Sequence, residues 1–251
     1  MASPRHLQSP THVIERMPEP ITPWWDPPEV VLNTDNLIWL YRTRTICGMD
    51  GAVGGLPECL EAETVIASTD WEHYEYMGHP VPRKEAIFSL DSGLVTGYKF
   101  AGRWRPATTE LPPYIQYGAQ VARELTGQPM TIAVCNYYRD ENDSVTPHAD
   151  NEPTIVRQSA IVSISLGATR IFTVKRTGSK GRAQRIKLRN GDILIMLPGC
   201  QENFSHGVPK DKCRCGPRVN ITFRWQLDSL ATNTKKRSRP GRVRSAEYTP
   251  Q

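Results

Sequence analysis

No stretch of the 251-residue chain approaches the roughly 18 consecutive apolar residues of a membrane-crossing helix, and Met1 to Pro10 holds no apolar signal-peptide core. These absences exclude an integral helical membrane protein and predict an intracellular protein with no membrane partner. The cysteines (Cys47, Cys59, Cys135, Cys200, Cys213, Cys215) are scattered, which excludes a disulfide-stapled scaffold and fits a reducing compartment. Cys213-Arg-Cys215, even with His206, lacks the Cys-x-x-Cys spacing and the fourth ligand of a structural zinc site. No repeat at solenoid period is visible either. Global disorder is excluded by a composition of 38% hydrophobic and 23% charged residues.

What is present begins with charge. The net charge of +5 permits an acidic partner such as nucleic acid without requiring one. Much of the excess lies in Lys235-Lys-Arg-Ser-Arg-Pro-Gly-Arg-Val-Arg244, which carries six basic residues and no acid. That run reads as a phosphate-binding arm, a nuclear-import signal or a solubilising tail.

Composition shifts divide the chain into a proline-rich leader (1–28), an N-terminal region (29–112), a main domain (113–228) and a basic tail (229–251). Trp24-Trp25 could dock the leader. Leu32, Leu37, Ile38, Leu40 and Tyr41 predict a short amphipathic helix within Glu29–Tyr41, followed by a glycine-rich loop. Aromatics and turn residues from Thr64 to Arg105 predict short strands, and the aromatic-basic run around Pro82-Arg83-Lys84 and Tyr98-Lys-Phe100 suits base stacking or half-buried strands. Pro112 to Gly127 reads as a helix with a glycine stop. Six β-rich runs then follow: Thr131–Tyr138, Ala160–Leu166, Arg170–Lys175, Gln184–Leu188, Asp192–Leu197 and Val219–Trp225. Short strands at this spacing, separated by turns such as Asn190-Gly191, predict a sandwich or jelly roll.

Three features carry chemistry. His148-Ala-Asp150 places an imidazole and a carboxylate on one face of an extended segment, two thirds of a 2-His-1-carboxylate iron site, although a polar turn would look the same. His206, distant in sequence, is placed to be the third ligand on a later strand. Arg218, Asn220, Thr222 and Arg224 alternate with Val219, Ile221 and Phe223, so that one strand face carries two guanidiniums. Turned into a fold, those cations call for anions, and a dicarboxylate supplies two.

From Val81 to Trp225 the chain resembles the AlkB family of Fe(II)- and 2-oxoglutarate-dependent dioxygenases. The resemblance rests on Asn136-x-Tyr138, His148-x-Asp150, the strand Ile161-Val-Ser-Ile-Ser-Leu-Gly167, His206 and Arg218-x-Asn-x-Thr-x-Arg224, in family order. It implies an α+β fold with a double-stranded β-helix (jelly-roll) core, flanking helices and an N-terminal nucleotide-recognition lid. It implies that His148, Asp150 and His206 ligate Fe(II). Asn136, Tyr138, Arg218, Asn220 and Arg224 would hold 2-oxoglutarate, Arg218 at the far carboxylate and Arg224 near the chelating one, and O2 would complete the set. Phe100 would stack on a flipped base with Tyr98 beside it, Glu152 would read an exocyclic amine, and Arg83 and Lys84 would belong to the substrate lid. The implied activity is oxidative demethylation of 1-methyladenine or 3-methylcytosine in DNA or RNA, by a monomer, with release of formaldehyde and succinate. Two alternatives stay open: oxidation of a protein side chain or small molecule, and a nucleic-acid-binding module without catalysis.

Overall fold

The computed structural model describes residues 23–229 apart from 32–33, 44–54, 77 and 101. Most of the expected leader, most of the glycine-rich loop and the basic tail from residue 230 lie outside the described residues.

In chain order the elements are β1 (Glu29–Val30), β2 (Ile38–Tyr41), a 3-10 turn (Glu58–Leu60), α1 (Ala62–Ala67), β3 (Glu72–Tyr76), β4 (His79–Ser89), β5 (Gly97–Phe100) and β6 (Arg103–Pro106). Then come α2 (Pro113–Thr126), β7 (Ile132–Tyr138), β8 (Val145–His148), β9 (Ile161–Gly167), β10 (Arg170–Arg176), β11 (Gln184–Leu188), β12 (Ile193–Met196), α3 (Cys200–Asn203), β13 (Phe204–Val208) and β14 (Arg218–Arg224). An eight-stranded sheet runs β1-β2-β12-β9-β14-β7-β4-β3, and a four-stranded sheet runs β11-β10-β13-β8. Every registered pair is antiparallel, and Phe172, Val174, Phe204 and Val208 of the small sheet pack with Ile38, Leu40, Leu194 and Met196 of the large one. This is the jelly roll expected from the strand spacing.

The far face of the large sheet is covered by helices. Ile115, Ala119 and Ala122 of α2 and Val65 of α1 pack against Val162, Ile164, Ile221 and Phe223. Helix α2 starts with Pro113 and ends at Gly127 in the left-handed conformation (φ 65°), as the glycine stop predicts. On its packed face Gly118 meets Phe223 so closely that an added Cβ would lie 2.7 Å from the ring.

The expected helix within Glu29–Tyr41 is not formed. Asp35 and Asn36 adopt positive φ (53° and 60°), making a turn, and Ile38-Trp-Leu-Tyr41 continues as strand β2 paired with β12. Ile38 and Leu40 enter the core between the sheets while Trp39 and Tyr41 face the helix side, so the apolar period is two. In the opposite sense, Thr64 to Ala67, expected to begin the strand region, is helical as part of α1. Trp24 and Trp25 are both buried, with Trp24 Nε1 donating to Gly191 O at 2.9 Å.

The N-terminal region is woven into the main sheet rather than laid over it, because β2 pairs with β12 and β4 with β7. Among the described strands, only β5 and β6 form a sheet of their own, a two-stranded hairpin.

Candidate iron and anion site

The ligand cluster is assembled by strand register. β8 and β13 pair with His148 directly opposite His206, so two residues far apart in sequence have rings 4.6 Å between centroids. Asp150 follows the end of β8, 2% exposed, with its backbone N–H donating to Gln201 Oε1 at 2.9 Å. One ligand atom from each of His148, Asp150 and His206 lies within 4.8 Å of the others, and no further such group occurs among the described residues. His148 Nδ1 lies 2.8 Å from Thr146 O. A carbonyl only accepts, so Nδ1 donates and, in the neutral ring, Nε2 carries the lone pair. That lone pair faces Asp150 Oδ1 at 3.5 Å, and Oδ1 is buried with no hydrogen-bond partner. Two acceptors facing each other in a buried place form an arrangement that a cation stabilises.

Electrostatics keep His206 and Asp150 in the metal-binding protonation states, while His148 is shifted toward the proton that a metal would displace. Burial pushes His206 down to about 4, so its imidazole is neutral at neutral pH. Burial acts against the Asp150 carboxylate, but Arg224 and the two histidines hold its pKa well below the ordinary carboxylate value. His148 feels the same desolvation, which its contact with Asp150 outweighs, so its pKa stands above the ordinary histidine value. A carboxylate and two imidazoles on one side of a cavity form the facial triad of non-haem Fe(II) sites.

Strand β14 supplies the floor. Its four polar side chains line the cavity, while Val219, Ile221 and Phe223 enter the helix-side core. Arg224 Nε and Nη2 both donate to Asp150 Oδ2, at 3.1 and 2.7 Å, so this guanidinium grips a candidate metal ligand directly. Arg218, 1% exposed, donates from Nη2 to Ser165 Oγ at 2.9 Å and lies 5.2 Å from the Tyr138 ring, while its Nε and Nη1 are buried without partners. Asn220 lines the cavity and is held by its neighbours. Its Nδ2 donates to Ser163 Oγ and Ile164 O, and its Oδ1 accepts from Thr222, so both amide hydrogens are already engaged. Asn136 lines the cavity with its Oδ1 held by Arg83.

The hairpin β5–β6 forms the roof. Phe100 is half-buried and stands edge-on to the His148 ring at 5.5 Å, with Tyr98 stacked behind it at 6.4 Å. Tyr98 is buried beneath Arg224, whose guanidinium lies 5.2 Å from its ring. Glu152 lies just beyond Asp150; burial and the nearby Asp150 charge raise its pKa, and its Oε2 is buried without a partner. Arg83 is 6% exposed, lines the cavity and is bound to Asn136 and Glu85. Lys84 follows on the opposite face of β4, half-buried. Asp143 is held by Arg139, and His73 and His79 are exposed.

A profile of the 2OG-Fe(II) oxygenase superfamily matches residues 59–224.

The chain belongs to that superfamily.

Within it, this oxygenase is similar to proteins named as alkB homologues. It is 33% identical over 153 residues to the mouse protein named DNA oxidative demethylase ALKBH2, covering 58% of this chain and 62% of that one. It is 37% identical over 129 residues to human alpha-ketoglutarate-dependent dioxygenase alkB homolog 3, covering 48% and 43%. The chain thus spans less than two thirds of either relative. A solved structure titled OsALKBH1 overlaps 80% of this chain at a TM-score of 0.47 and 18% identity, too loosely to add to the assignment.

The cofactor set of this oxygenase family is Fe(II), 2-oxoglutarate and O2, and the site fits it. The buried Oδ1 of Asp150 and the two imidazoles are donors for the metal, and the unsatisfied Nε and Nη1 of Arg218 are donors for a carboxylate. Sequence reading missed four parts of the oxygenase site. Gln201 holds the Asp150 backbone, Phe172 stacks on His206 at 5.4 Å, and Glu85 with Arg105 forms a buried ion cluster on the cavity wall. Phe172 could have been found from its alternation with Val174 on β10. A lone Glu or Arg in an aromatic-rich strand carries no such signal.

Proposed function

We propose that this chain is a dioxygenase that oxidatively demethylates N-alkylated bases, of the 1-methyladenine and 3-methylcytosine type, in DNA or RNA, releasing formaldehyde and succinate. The observation that carries the reading is Phe100 standing edge-on to His148 at the cavity mouth, backed by Tyr98. An aromatic beside a ligand cluster is a stacking platform that brings a base to the reacting centre. The names of the relatives, DNA oxidative demethylases among them, support the same substrate class.

Bound together, Fe(II), 2-oxoglutarate and O2 supply an oxidant that hydroxylates an N-linked methyl, and the hydroxymethyl product loses formaldehyde. The chain's own residues position the partners. His148, Asp150 and His206 would hold the metal from one side. Arg218, at the other end of the floor, would pair with the far carboxylate of 2-oxoglutarate, while Arg224 fixes the Asp150 carboxylate by taking its Oδ2. Glu152, close behind Asp150, would face the polar edge of the base. A base in a duplex would have to be flipped out at a cost of roughly a few kcal/mol, less if the strand is already single.

Purified protein with Fe(II), ascorbate and 2-oxoglutarate is expected to release formaldehyde from an oligonucleotide carrying either lesion. Succinate production without formaldehyde from DNA or RNA would move the target to a protein side chain or small molecule.

A further inference from the structure

Glu85 has no part in the chemistry above, yet it is 2% exposed on the cavity wall and its two oxygens hold two different arginines. Oε1 accepts from Arg83 Nη2 at 2.5 Å, and Oε2 accepts from Arg105 Nη1 of β6. Arg83 Nε in turn donates to Asn136 Oδ1 at 2.7 Å. A guanidinium can only donate, so this contact fixes the Asn136 amide with its oxygen toward Arg83 and its two N–H groups directed elsewhere. Arg105 is the cross-strand partner of Tyr98, and its guanidinium lies 4.3 Å from the Tyr74 ring and 6.0 Å from that of Tyr98.

The contacts therefore run without a break from the hairpin that carries Tyr98 and Phe100, through Arg105, Glu85 and Arg83, to Asn136 on β7. Strand pairing joins β5 and β6 to each other and to no other named strand among the described residues. Backbone bonds between Thr108, just past β6, and Ile87 and Ser89 of β4 anchor the base of the hairpin, and the Arg105–Glu85 ion pair ties its body to the cavity wall. The cluster is also all-or-none. Arg83 and Arg105 are each 6% exposed, and a buried ion pair that loses one member leaves an uncompensated charge. A hairpin displaced from the site would strip Glu85 of Arg105 and alter its hold on Arg83.

We propose that Glu85, bridging Arg105 and Arg83, is a positioning residue that couples the seating of the β5–β6 hairpin to the donor orientation of Asn136. Nucleic-acid substrate and 2-oxoglutarate then bind cooperatively. This inference rests on the nucleic-acid reading of the hairpin. Its physical content is linkage: a ligand that seats the hairpin favours the Asn136 orientation that donates to an anion, and the anion favours the seated hairpin to the same degree.

The test is a binding experiment without turnover. Protein loaded with Mn(II) is titrated into a fluorescein-labelled single-stranded oligonucleotide carrying 1-methyladenine, with and without saturating 2-oxoglutarate, and anisotropy gives the two Kd values. For the wild type, 2-oxoglutarate is expected to tighten oligonucleotide binding about tenfold, a usual size for coupled sites. Arg105→Met should bring that ratio to about one, whereas Arg105→Lys, which keeps a cation against Glu85, should retain most of it. Glu85→Gln, which keeps an acceptor for one arginine, should lower the ratio and gives a second reading if Arg105→Met does not fold, as judged by circular dichroism. A wild-type ratio of one, or a wild-type ratio preserved in folded Arg105→Met and Glu85→Gln, overturns the coupling. A wild type that binds 2-oxoglutarate by calorimetry but no oligonucleotide overturns the nucleic-acid reading, and the coupling with it.

Discussion

Arg218 and Arg224 stand at the two ends of one strand, on one face, both nearly sealed from solvent, and their electrostatic settings are opposite. Burial works against the charge of each. At Arg224 the Asp150 carboxylate more than offsets it, and the guanidinium is held above its ordinary value. Arg218 pairs with no acid among the described residues; burial lowers its pKa, and Arg170 on the same Tyr138 ring adds to the lowering. The difference separates two tasks that look alike in sequence. A buried cation with its own carboxylate is part of the scaffold, here one that aims a metal ligand. A buried cation with open donors is tolerated because an incoming anion completes it.

Substitution can break this comparison. Arg224→Met leaves Asp150 buried without its guanidinium, and its expected cost is about 3–5 kcal/mol of stability, seen as a lower urea midpoint, with loss of turnover. Arg218→Met should do the reverse. Removing an unpaired buried cation is expected to leave the urea midpoint unchanged or raise it, while the KM for 2-oxoglutarate rises about 10- to 100-fold, the worth of roughly 1.5–3 kcal/mol in charged hydrogen bonds. Equal destabilisation by the two variants would dissolve the distinction. The smallest change lies off the strand. Phe100→Ala touches neither arginine and is expected to weaken oligonucleotide binding by about 1–2 kcal/mol, within the range for base–aromatic stacking. Uncoupled 2-oxoglutarate consumption should stay near wild type; an equal loss in both would place Phe100 in the ligand scaffold instead.

The strands of the jelly roll were legible because alternation in runs such as Val219-Asn-Ile-Thr-Phe223 states both period and facing. The convergence of His148 and Asp150 was legible from their spacing. β8 was harder to see, since Val145-Thr-Pro-His148 is short and carries a proline, and its strand character comes from pairing with β13. The segment through β2 misled because Leu37, Ile38, Leu40 and Tyr41 also fit a helical period, whereas Asp35 and Asn36 make a turn and the residues after it run extended. What Arg224 binds was not legible at all: spacing along β14 gives its face, but the position of Asp150 beneath it depends on how the loop after β8 folds back. The same holds for Glu85, whose two arginines come from its own strand and from the hairpin.

The contact between Gly118 and Phe223 has a bearing on the cavity that neither residue lines. β14 rests on α2 through the Phe223 ring, and the bare glycine lets the ring lie against the helix backbone. The depth of the site floor is thus set from behind, by the thickness of the layer between strand and helix. An alanine at position 118 would force the Phe223 ring to shift, and to the extent that β14 moves with the ring, Arg218, Asn220, Thr222 and Arg224 move with it. Tuning of this active site is therefore open to positions with no polar atom and no view of the substrate.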